Sequence, residues 1–118
     1  MSKPTDCISV LEAKALQAKW MTTRAVDIEN AQGSKDTCAV TFNIDQLQQF
    51  IKYVKEESES QGISKPGIRV YFAANDSALT NKATVFLCAT DGDNANSNNN
   101  YNIDPLNKGG NGWPPNAY

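Results

Sequence analysis

A chain of 118 residues with a net charge of -2 and 20% charged residues is of a size for one small domain. It has no histidine, which excludes His-based general-base catalysis, Ser-His and Cys-His dyads and imidazole-ligated zinc; its 11 basic residues against 13 acidic ones give no cation surplus for nucleic acid. Ile, Val, Leu and Phe total only 23 residues, so the core must be small and part of the chain is expected to lie outside it.

The first expected element is a helix over residues 9–30. Ser9 with Glu12 three positions on is a capping box, and Ile8 can staple onto it. Leu16 and Trp20, then Met21, Ala25 and Ile28, follow at three- and four-residue steps, and Gly33 offers a left-handed stop. Cys38, Val40 and Phe42 alternate along a strand at 38–42. Asn43 caps a second helix, 44–60, whose stripe is Ile44, Leu47, Phe50, Ile51 and Val54; Gly62 and Ile63 suit a Schellman stop. After the Pro66-Gly67 turn comes a strand at 68–74, with Ile68, Val70 and Phe72 on one face. A polar loop, 75–82, leads to a strand at 83–90 with Val85 and Leu87 on one face and Phe86 and Cys88 on the other. The expected fold class is α+β: a sheet of about three strands with both helices on one face. The other face, with Tyr71, Phe86 and Cys88, has no helix to cover it.

From Asp91 the composition changes, with nine Asn, four Gly and three Pro in 28 residues. The chain divides by this reading into an α+β domain, 1–90, and an irregular tail, 91–118. Residues 1–90 are charge-neutral and the tail carries the net -2. Dispersed through it are Tyr101, Ile103, Leu106, Trp113 and Tyr118, with Pro114-Pro115 stiffening the backbone beside Trp113. Such residues suit docking on the bare sheet face or on a neighbouring copy. Tyr101, Ile103, Leu106, Trp113, Pro114, Pro115 and Tyr118 are therefore the expected partner-binding set, with Trp113 as anchor.

The other motifs read as structure. Asp91-Gly92-Asp93-Asn94 opens like a calcium loop, but Ala95, Asn96 and Asn102 stand where the pattern needs an oxygen ligand, a glycine and a bidentate Glu. Gly33-Ser34-Lys35 lacks phosphate-loop spacing, and Glu56, Glu57 and Glu59 form a solvated helix end. Cys7, Cys38 and Cys88 are odd in number and widely spaced, so no disulfide framework or thiolate metal site is expected; Cys38 and Cys88 read as small buried hydrophobes. Arg69, mid-strand among apolar residues, is expected to pair with an acidic side chain. The alternative is a small-ligand or ion-binding module using the 75–82 loop and the tail, with Arg69, Asp91, Asp93 and Tyr101 converging on an anion or polar ligand. No residue is expected to be catalytic and no cofactor is expected. Met1 to Asp6 lacks the apolar core of a signal peptide and no apolar run approaches a membrane span, so a cytoplasmic setting is expected.

Phe42-Asn43-Ile44-Asp45-Gln46-Leu47-Gln48-Gln49-Phe50-Ile51, then Gly67-Ile68-Arg69-Val70-Tyr71-Phe72, and finally Pro114-Pro115, resemble a group of short uncharacterised proteins of the Bacteroidota. The likeness covers roughly residues 9–90 plus the Pro-Pro pair. Members of the group often end in a Pro-Pro-x-Cys-like stretch, whereas this chain reads Pro114-Pro115-Asn116-Ala117-Tyr118. The resemblance implies an α+β fold and a bacterial cytoplasmic setting, and no reaction. The expected role is that of a non-catalytic interaction or self-assembly module.

Overall fold

The computed structural model describes residues 2–76, 80–112 and 118. Ser9 opens α1 (Val10–Thr22) by accepting the Glu12 amide at 3.0 Å, and α2 (Arg24–Gln32) follows at once. The single helix expected over 9–30 is thus two. Both hydroxyls of the Thr22-Thr23 pair turn back onto carbonyls of the preceding turn: Thr22 Oγ1 donates to Ala18 O at 3.1 Å and Thr23 Oγ1 to Lys19 O at 2.5 Å. These bonds compete with the helix ladder, and Thr23 leaves helical geometry at φ -121°, ψ -84°. Leu11, Leu16 and Val10 are exposed and α1 buries no residue at all.

After β1 (Ala39–Thr41), Asn43 Oδ1 accepts the amides of Asp45 and Gln46 and starts α3 (Ile44–Ser60). Gly62 ends it at φ 78°, where the Ile63 amide closes onto Ser58 O at 2.8 Å, the expected Schellman stop. β2 (Gly67–Ala74) and β3 (Ala83–Thr90) form an antiparallel hairpin in which Val70 faces Leu87 and Arg69 faces Cys88. Lys82 and Asp36 brace its far end. Lys82 Nζ donates to Ser34 Oγ and Lys35 O, while buried Asp36 Oδ1 accepts the amides of Thr37 (2.8 Å) and Ala83 (2.7 Å).

The core is Phe50, Val54, Leu87, Ala89 and Ile103, flanked by Phe42, Leu47 and Leu106. Ile103 comes from the Asn-rich segment, and the reason is a ladder along the free side of β3. Asp91 N–H donates to Asn98 O, Asn100 N–H to Ala89 O, and Leu87 and Leu106 exchange bonds of 2.8 and 2.9 Å. Between these contacts residues 101–105 bow inward and drop Ile103 into the core at 3% exposure. The chain then continues as β4 (Gly110–Gly112), which pairs antiparallel with β1, Val40 facing Asn111.

The α+β class is as expected, but the strand pairing is not that of one three-stranded sheet: β1 pairs with β4, and β2 with β3. The segment expected to hold no strand supplies β4, because small Gly110 and Gly112 let it lie close beside β1. The Cα radius of gyration is 16.5 Å, where a compact domain of this length has about 13.5 Å. The unpacked α1 is consistent with that expansion.

Candidate functional site

The sheet face without a helix is covered by the chain itself. Arg69, rather than meeting a carboxylate, clasps the 91–99 loop: its guanidinium donates to Asn99 Oδ1 at 2.6 Å, Ser97 O at 2.9 Å and Ala95 O at 3.1 Å. Asn99 Nδ2 donates to Tyr71 OH at 2.7 Å, and Tyr71 stacks on Phe86 with ring centroids 5.1 Å apart. The acidic partner expected for Arg69 is replaced by neutral oxygens because a loop of three carbonyl-type acceptors fits the planar fork better than one side chain could reach.

Of the residues named for the small-ligand alternative, Arg69 and Asp91 bond to the protein's own loop. Asp91 Oδ1 accepts the Asn98 amide at 3.0 Å and so closes the loop, as do Asn94 Oδ1 and Ser97 Oγ on their neighbours' amides. Asp93 and Arg69 line a shallow cleft of about 290 Å³, but the guanidinium there is engaged by the loop. In the 75–82 loop, Asn75 bonds Lys82 O through both its backbone and its side-chain nitrogen; residues 77–79 lie outside the described residues. Among the described residues no three His, Cys, Asp or Glu side chains gather to hold a metal ion. Cys88 is buried, Cys7 is exposed, and burial raises the Cys38 thiol above its ordinary value, against smaller lowering effects of its own backbone and Lys35.

The expected partner-binding residues divide. Ile103 is buried in the core, and Leu106, partly buried, packs against it. Tyr101 (87% exposed) and Tyr118 stand in solvent. Trp113, Pro114 and Pro115 lie outside the described residues.

A different surface emerges on β2. Ile68, Val70 and Phe72 share the face that α3 covers, yet α3 sits over Leu87 and Ala89 of β3 and does not reach the neighbouring strand. The three side chains are 38%, 54% and 93% exposed. Beside them, between α3 and β2, runs a groove of about 610 Å³ lined by Ile51, Val54, Ile63, Pro66 and Ile68, with Lys55 and Glu59 at its rim. Beyond the stripe, β2 has a second edge. The Asn75 amide donates to Lys82 O across the hairpin, so odd-numbered residues of β2 turn their backbone groups to β3. Ile68, Val70, Phe72 and Ala74 turn theirs outward, where no strand among the described residues receives them. Proteins commonly guard such an edge with Lys, Pro or a bulge, and β2 has none of these within its eight residues. The alternation Ile-x-Val-x-Phe signalled a two-faced strand; which face the helix would cover depended on the reach of α3, which no local pattern encodes.

Comparison with protein-family models, with curated proteins and with solved structures finds no match. Among the described residues no helix is long and apolar enough to cross a membrane.

Proposed function

We propose that this chain is a non-catalytic protein-interaction module of a bacterial cytoplasm that receives an extended strand along the free edge of β2. The observation that carries the reading is Phe72, bare to 93% at the end of an apolar stripe on a strand whose second edge receives no partner among the described residues. Covering one such side chain is worth about 1.5–3 kcal/mol, and an incoming strand also satisfies the outward N–H and C=O groups of Ile68, Val70 and Phe72. Tyr101 and Tyr118 add exposed aromatic surface from the C-terminal segment. Strand addition draws affinity from the backbone and specificity from alternate side chains, so the expected partner is an extended segment with aliphatic residues at every second position.

Titration with synthetic strand peptides of that pattern, followed by backbone amide shifts, tests this. Saturable shifts at Ile68, Val70 and Phe72, weakened by Phe72→Ser, are expected; shifts confined to other elements, or none, would sink the reading.

A further inference from the structure

We propose that the occupant of the β2 edge is β2 of a second copy of this chain, paired antiparallel and centred on Val70. The proposal rests on the reading of that edge as an interaction surface and supplies its partner. Two identical strands related by a two-fold axis perpendicular to the sheet oppose residues that point to the same face, which keeps the two apolar stripes contiguous.

Three registers meet that condition near the middle of the strand. Centring on Arg69 opposes two guanidinium-bearing positions, which like charge disfavours. Centring on Tyr71 sets Ile68 against Ala74 and leaves part of the stripe without an apolar counterpart of its own size. Centring on Val70 opposes Val70 to Val70 and Ile68 to Phe72, and sets Arg69 opposite Tyr71 rather than opposite a second arginine. Val70, Ile68 and Phe72 are also residues whose backbone groups face outward, so in this register they hydrogen-bond one another. Phe72 of each copy then lies beside Ile68 of the other, at the mouth of the groove between α3 and β2 lined by Ile51, Ile63 and Pro66. The same contact is made twice, and the contact closes on itself.

The area sets the strength. The seven residues Gly67 to Ala73 that oppose one another in this register span about 23 Å, and a sheet about 10 Å thick in side chains offers roughly 230 Å² of contact along that edge. Seating the Phe72 ring adds about 200 Å². The total over both copies, roughly 900 Å², lies just below the ~1,000 Å² that marks a specific interface. A reversible, concentration-dependent dimer follows, not a permanent one.

The test uses the full chain. Light scattering over a concentration series is expected to show the mass rising from 12.9 kDa toward twice that value, and Phe72→Glu, at a position too exposed to matter for folding, is expected to hold it at the monomer. Register is read by oxidative cross-linking in a Cys7→Ser background. Val70→Cys should join to itself, because opposed Cα atoms about 5.5 Å apart are within disulfide reach, while Tyr71→Cys should not. A monomer at millimolar concentration, a dimer indifferent to Phe72→Glu, or a Tyr71→Cys cross-link in place of the Val70→Cys one overturns the proposal. If strand peptides shift the β2 amides while the chain stays monomeric, the second copy is wrong and the edge remains the interaction surface; if neither binds there, both readings fall.

Discussion

Two side chains show how polar groups decide the local structure. Ser58 is fully buried on the inner face of α3 and its hydroxyl has no hydrogen-bond partner. A buried hydroxyl without a partner costs about 1–3 kcal/mol of desolvation, and alanine removes that group without adding bulk. Ser58→Ala is therefore expected to raise stability by about 1 kcal/mol, seen as a higher urea midpoint at unchanged slope. Arg69 is the opposite case, with every contact it makes to the loop satisfied. Arg69→Lys keeps the charge and loses the fork. It is expected to cost about 1–2 kcal/mol and to speed amide exchange at residues 97–99, with little dependence on salt, since the acceptors are neutral. A lysine variant as stable as the parent would show that the guanidinium geometry is not what holds the loop.

At the scale of elements, some of the molecule was legible in the sequence and some was not. Asn43 and the 0-3-6-7-10 stripe from Ile44 to Val54 specify α3, because cap, period and stop all agree. The hairpin of β2 and β3 was legible for the same reason: two alternating runs flank a polar loop. The break at Thr22-Thr23 was visible in principle as two adjacent β-branched hydroxyl residues, but the apolar steps around it read continuously. The role of Asn99 and Asn100 was not legible at all. In a run of asparagines nothing local distinguishes the one that meets Arg69, or Asn100, which donates to Gln61 Oε1 at 2.8 Å, from those left in solvent. Nor was the place of Ile103, whose burial depends on the ladder with β3 rather than on any period of its own. Ile103→Ala, at a position 3% exposed, is expected to cost about 2–4 kcal/mol in chemical denaturation. The same change at Tyr101 should cost almost nothing, and equal effects at the two sites would contradict the placement of this segment.

For the whole molecule the burial pattern predicts graded stability. Phe50, Val54, Leu87 and Ala89 form the best-protected region, whereas α1 packs against α2 and, through Gln17 and Trp20, lines a separate apolar pocket with Cys38, Val40 and Phe72. An isolated helix of 13 residues is marginal in water. Native-state hydrogen exchange is expected to show α1 amides opening with a free energy several kcal/mol below that of α3 and β3, without loss of the remaining fold. A single uniform opening free energy across α1, α3 and β3 would mean that the helix is fastened by contacts other than these.

The position of Ile103 in the core has a consequence for biosynthesis. A ribosome that has delivered the first ninety residues has made the helices and the hairpin but not the wedge that shuts them together, so the core under α3 at Leu87 and Ala89 lacks one wall until the asparagine-rich stretch emerges from the exit tunnel. The nascent chain is thus born sticky on two surfaces, of which only one closes when synthesis passes residue 103.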